Sequence, residues 1–155
     1  MLIRPASSAD IDQIYSVHTR SIRQLCCSHY PPEHIEAWAG NKAPERYLPL
    51  IGKMPFFVAE AHTSIIGFTR YSLKTHEFCS LYVDPVHTRK GVGTALAQYV
   101  FADAQRNGIT TLWLDGALNA VPFYKAIGFK WIDERIHKFG KFSLKCARME
   151  IDLRG

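Results

Sequence analysis

The run from Glu77 to Ala97, EFCSLYVDPVHTRKGVGTALA, constrains this chain most. It reads as a strand, a short basic loop, two glycines one residue apart, and then a helix. Gly91 and Gly93 sit where the helix should begin, interleaved with Val92 and Thr94. A helix start exposes backbone N–H groups without internal partners and carries the positive end of the helix dipole. Glycines let a bulky anion come close to those groups, and Arg89 and Lys90 add two positive charges at the rim. The run therefore predicts a phosphate cradle at a strand-to-helix junction, in a chain that mixes strands and helices.

Three phosphate cradles compete. A P-loop needs GxxxxGK followed by Ser or Thr, and no such string occurs. A Rossmann turn needs GxGxxG directly after a strand. Here Leu96 stands at the third glycine, and seven residues (DPVHTRK) separate Val83 from Gly91. Asp115 falls about twenty residues on, as a dinucleotide site would want, but the spacing before the glycines argues against that reading.

The rest of the chain fills in a mixed sheet. Leu2-Ile3-Arg4 reads as a strand, and Ser7 with Asp10 as a capping-box start to a helix carrying Ile11, Ile14, His18, Ile22 and Leu25 at helical spacing. Pro31-Pro32 opens a second short helix closed by Gly40, and PERYLPLI is a third piece interrupted by Pro49. Strands are expected over Phe56–Ala61, Ile65–Leu73, Glu77–Val83 and Thr110–Leu114, with closing antiparallel strands at Phe129–Ile132 and Cys146–Ile151. Helices are expected over Thr94–Arg106, ended by Gly108, and over Asn119–Ile127, with Asn119 as cap. The expectation is one domain, residues 1–155, with helices on both faces of the sheet.

Composition narrows the function classes. At 155 residues and 47% hydrophobic, the chain supports a real core, and no stretch approaches the ~20 apolar residues of a membrane span. The N-terminus has no apolar signal core, which predicts a cytoplasmic protein without a membrane partner. Cys26, Cys27, Cys79 and Cys146 form no CxxC pair, so reduced thiols are expected. CCSHYPPEH gathers two cysteines with His29 and His34, yet matches no zinc spacing, and no metal is expected. The net charge of +5 sits on the C-terminal segment: residues 125–155 carry eight Lys/Arg against four Asp/Glu. Lysines on a solvated hairpin account for it, and without a nucleic-acid-binding motif no nucleic-acid partner is expected.

The wider pattern LYVDPxxxxxGVGTAL, then Asn119, then FYKAIGF resembles the GCN5-related N-acetyltransferase (GNAT) family over roughly residues 55–152. The resemblance implies that family's fold: a mostly antiparallel central sheet with helices on both faces. It implies acetyl-CoA as cosubstrate, its pyrophosphate held by the loop Thr88, Arg89, Lys90, Gly91, Val92, Gly93 and Thr94. Asn119, Phe123 and Tyr124 would line the thioester end. Leu81, Tyr82 and Val83 would offer backbone N–H and C=O groups to the amide-rich pantetheine arm, like an added strand. One departure stands out. The family's loop usually begins with Gln or Arg three residues before the first glycine, and here that residue is Thr88.

Acetyl transfer to an amine needs three things. The amine must lose a proton, since a lysine-like amine has a pKa of about 10.4. The carbonyl oxygen needs a donor as it gains charge, and the departing thiolate needs a proton. The resemblance makes Tyr124 the candidate acid. Phe123 and Ile127, an i, i+4 pair suited to the core, turn Tyr124 to a different face. Glu77 is the candidate base, alternating with Cys79, Leu81 and Val83 on one strand face, and His76 is its rival. Tyr30, Trp38 and Tyr47 are candidates for the acceptor pocket or for small-helix core. No paired base accompanies Cys79, so direct attack in a ternary complex is expected. The acceptor is a small-molecule or protein amine. The C-terminal strands are candidates to pair across a homodimer. A non-catalytic acyl-CoA sensor on the same fold is the first alternative, and a nucleic-acid-binding module the second.

Overall fold

The computed structural model describes residues 1–25, 30–40, 43–139 and 141–154, and for Leu25, Ala37, Trp38 and Phe139 the backbone alone. Strands β1 (Leu2–Pro5), β2 (Phe56–Ala61), β3 (Ser64–Tyr71) and β4 (Phe78–Val83) form an antiparallel sheet in that order. Strands β5 (Thr111–Ala117), β6 (Lys130–Phe139) and β7 (Phe142–Asp152) form a second, with β7 between β5 and β6. The two sheets meet at one parallel bridge, Glu77 beside Trp113, where the Trp113 N–H donates to the His76 carbonyl at 3.2 Å.

Helices cover both faces. α1 (Ile11–Leu25), α2 (Pro32–Gly40) and α3 (Tyr47–Lys53) lie on one. There Ile14, Val17 and Tyr47 pack with Val58 and Phe68, while Ile22, Tyr30 and Ile35 pack with Leu144. α4 (Val92–Arg106) and α5 (Val121–Ala126) lie on the other, where Val100, Phe101 and Tyr124 pack with Tyr71, Phe78, Leu112, Leu114 and Met149. Ser7 and Asp10 cap the entry to α1 as expected: the Ser7 N–H donates to the Asp10 carboxylate at 2.8 Å, and Arg4 grips the same carboxylate.

Several boundaries move, each for a local reason. β3 stops at Tyr71 because the Ser72 hydroxyl accepts the N–H groups of Lys74 and Thr75, closing a turn that places His76 at φ 64. Asn119 does not cap α5. It lies in a 3-10 turn, Leu118–Ala120, and α5 starts at Val121 with Pro122 in its first turn, where a missing N–H costs nothing. The closing strands are ten and eleven residues long, well beyond the stretches the apolar residues mark.

The decisive irregularity is in β4. Arg70 pairs with Ser80, but Tyr71 pairs with Phe78, so Cys79 is an extra residue, a β-bulge. Because side chains alternate along a strand, one extra residue reverses the phase. Leu81 and Val83 pack toward α4, and Phe78 is buried in that same layer. Glu77 therefore points to the α1 face. Its expected alternation with Cys79, Leu81 and Val83 is broken at the bulge.

Candidate active site

Below the bridge, β4 and β5 diverge, and between them opens a cleft of about 810 Å³. The bulge bends β4 away, and the Asp84 side chain takes up the strand's end by accepting from the Val86 N–H and from Arg20 of α1. The Asp84 N–H donates to the Ile66 carbonyl on β3 at 2.8 Å. By alternation, the N–H and C=O groups of Leu81 and Val83 face the cleft, unpaired with β5.

One end of the cleft is the glycine loop. Gly91, at φ 83, is the residue before α4, a backbone state that costs other residues about 1 kcal/mol. Gly93 also has a packing role. A Cβ there would lie 3.2 Å from the Phe123 ring, so the glycine lets α5 close onto α4. Thr88, Arg89, Gly91, Gly93 and Thr94 line the cleft. Val92 is buried in the core, and Lys90 is exposed outside the lining. The Thr88 hydroxyl donates to the Pro85 carbonyl at 3.1 Å.

The middle is walled by Asn119, Phe123 and Tyr124. Tyr124 is the buried residue of α5, while Phe123 and Ile127 are only partly buried, the reverse of the packing read from their spacing. Its ring lies against Phe78, Phe129 and Gly116. Burial pushes the phenol well above its ordinary pKa, so it is a proton donor throughout the physiological range. Asn119 Oδ1 is buried without a partner among the described residues.

The other end carries charge. Glu77 lines it, and His76 does not. Burial, then the charge of Asp115, hold the Glu77 carboxyl above the ordinary range. Asp115 sits opposite on β5. Burial pushes its carboxyl up, but Arg148 and His137 outweigh that and bring it below the ordinary value. Arg148 bonds both Asp115 oxygens, its guanidinium lies 4.2 Å from the Trp113 ring centre, and His137 Nε2 is 2.8 Å from Asp115 Oδ2. Tyr30 lines the cleft too. Its hydroxyl accepts the Leu118 N–H at 2.9 Å and donates to the Lys145 carbonyl at 2.8 Å. Tyr47 is core, 2% exposed, and hydrogen-bonds His18. The Trp38 side chain, with Cys26, Cys27 and His29, lies outside the described residues. His34 packs on Phe142.

His137, which lines the cleft, escaped the sequence reading because β6 runs past the expected Ile132. Arg148 and Cys146 lie within the expected last strand, but nothing in residue type marked their pairing across from Asp115 and Ala117. Burial raises the thiols of Cys79 and Cys146 to about 11, which leaves them protonated at neutral pH. Among the described residues no cluster of His, Cys, Asp and Glu is placed to hold a metal ion, and no helix is long and apolar enough to cross a membrane.

The site fits a long, anion-headed amide ligand: N–H groups at a helix start, a free strand edge, and an orphaned amide oxygen line one cleft. Comparison with known proteins points the same way. The model of the GNAT acetyltransferase domain matches residues 26–153. The N-acetyltransferase YafP of Escherichia coli K12, itself uncharacterised, is 28% identical over 133 residues, 86% of this chain and 83% of that protein. The alanine N-acetyltransferase of ribosomal protein bS18 from the same organism is 26% identical over 134 residues, 82% of this chain and 79% of that one. A GCN5-related N-acetyltransferase from Rhodopseudomonas palustris shares the fold with a TM-score of 0.91 at 22% identity, covering 97% of this chain and 94% of the other. The PaiA N-acetyltransferase of Thermoplasma acidophilum, solved in complex with coenzyme A, superposes with a TM-score of 0.82 at 26% identity over 97% of this chain and 98% of that one. With a family pattern that runs through most of its length and a fold that matches nearly all of it, the chain belongs to the GNAT family and is an N-acetyltransferase.

Proposed function

We propose that residues 1–155 work as one catalytic domain that transfers an acetyl group from acetyl-CoA to a primary amine. The observation that carries this reading is the bulge-opened cleft, with a phenol proton donor on one wall and a raised carboxyl at one end. A coenzyme A complex of the PaiA relative supports the cosubstrate. The backbone N–H groups of Gly91–Thr94, aided by Arg89, receive the diphosphate. The Leu81 and Val83 edge pairs with the pantetheine amides, and Asn119 supplies its unpartnered amide to the same arm.

The amine nitrogen attacks the thioester carbonyl carbon directly. Glu77 takes the amine proton, directly or through a water, and its raised pKa makes it a better base than an ordinary carboxylate. The C–S bond breaks, and Tyr124 gives its proton to the departing thiolate. The high thiol pKa values of Cys79 and Cys146 support direct transfer over an acyl-cysteine route. The acceptor is a primary amine, and the bS18-alanine relative brings protein N-termini into that class. The test is amine-dependent thiol release from acetyl-CoA across small amines, amino acids and peptide N-termini. Release with at least one class, reduced about 10²-fold or more by Glu77→Gln, is expected. Tight acetyl-CoA binding with no release for any amine would overturn the reading.

A further inference from the structure

Two polar side chains of the segment between β4 and α4 are consumed by the fold. Asp84 is held by Arg20 at 2.8 Å and by the Val86 N–H at 3.1 Å, and the Thr88 hydroxyl is spent on the Pro85 carbonyl. The position where the family usually offers a long donor thus has no free donor here. His87, one residue earlier, differs. It lines the cleft, its Nδ1 is buried without a partner, and among the described residues its ring makes no hydrogen bond to the protein. Only one other buried side-chain atom among the described residues is orphaned in this way, Asn119 Oδ1, and it lines the same cleft. An unpaired buried polar atom costs about 1–3 kcal/mol, a cost that a ligand offering the missing partner relieves. Because neither nitrogen is tied down, the ring can turn about its Cβ–Cγ bond and present an N–H to the cleft. That N–H lies in the segment leading to the N-terminus of α4, where negative charge is favoured.

We propose that His87 is a binding residue for the diphosphate of the cosubstrate, supplying the donor that Thr88 does not. The inference rests on the acetyl-CoA reading of the cleft. A charged acceptor oxygen makes the new hydrogen bond one of the stronger kind.

Calorimetry of the full chain with three probes tests it: coenzyme A, 3′-dephospho-coenzyme A and pantetheine. His87→Ala is expected to weaken coenzyme A and its dephospho form equally, about tenfold, and to leave pantetheine, which has no diphosphate, unchanged. His87→Gln, which keeps an N–H donor, is expected to recover most of the loss. Thermal unfolding separates binding from structure. Removing an unpaired polar group leaves the ligand-free Tm unchanged or higher, while the rise in Tm on adding coenzyme A shrinks. A loss confined to coenzyme A, placing the contact at the 3′-phosphate, would overturn the proposal. So would an equal loss for pantetheine, a drop in ligand-free Tm that accounts for the effect, or unchanged affinity. Should the wild-type chain bind no coenzyme A, the reading of the cleft fails, and this inference with it.

Discussion

Burial raises the pKa of both Tyr124 and Glu77, and each sets a measurable outcome. The Tyr124 hydroxyl faces the cleft and holds no partner among the described residues, while its ring is core. Tyr124→Phe keeps the ring, so Tm and coenzyme A affinity should hold while kcat falls about 10²-fold in steady-state assays. The folded chain binds the Glu77 proton more tightly than the unfolded one, because burial and Asp115 raise its pKa. Its contribution to stability is full below the ordinary carboxylate range and is lost as pH rises through the raised value. Activity runs the other way, since the base must be ionised. Glu77→Gln is thus expected to raise Tm at neutral pH more than at about pH 4, and to erase the acid limb of the kcat/KM profile. A Tm gain equal at both pH values would show that the carboxyl carries no such cost.

At the scale of elements, the glycine loop does two jobs with two glycines. Gly91 supplies a left-handed φ with open space around it, and Gly93 supplies room for Phe123. Gly91→Ala should cost about 1 kcal/mol in urea unfolding through backbone strain alone. This loop was legible in the sequence because both needs are met only by glycine, a choice visible in a single letter. The capping of α1 was legible for a similar reason, in Ser7 and Asp10. The full length of the β6–β7 hairpin was not. Residues 131–138 are all exposed, and charges such as Asp133, Glu134 and Lys138 hide the strand period among polar residues. The Glu77 face was misread because a bulge leaves no mark in residue type: Cys79 is an ordinary strand residue in an extraordinary register. Asn119 read as a cap because its residue type suits one, but Pro122 and the 3-10 turn moved the helix start past it.

The whole molecule is two sheets that touch at one bridge, with the core under α4 and α5 packed across both. Tyr30 reaches from the segment between α1 and α2 to both β7 and the end of β5 through one hydroxyl. Tyr30→Phe strands the Leu118 N–H and the Lys145 carbonyl, and should cost about 1–3 kcal/mol by denaturant unfolding. Because Leu118 adjoins Asn119, KM for the amine and for acetyl-CoA should both rise. Unchanged stability would show that water replaces the hydroxyl freely. The bulge at Cys79 has a consequence of another order. It makes the catalytic face a matter of counting rather than of chemistry. Any side chain that tolerates the site preserves the count, so the thiol is expendable. A chain one residue shorter there would pair β4 more regularly with β3, yet it would turn Glu77 away from the amine and Phe78 out of its core. The tidier sheet would be the inactive one.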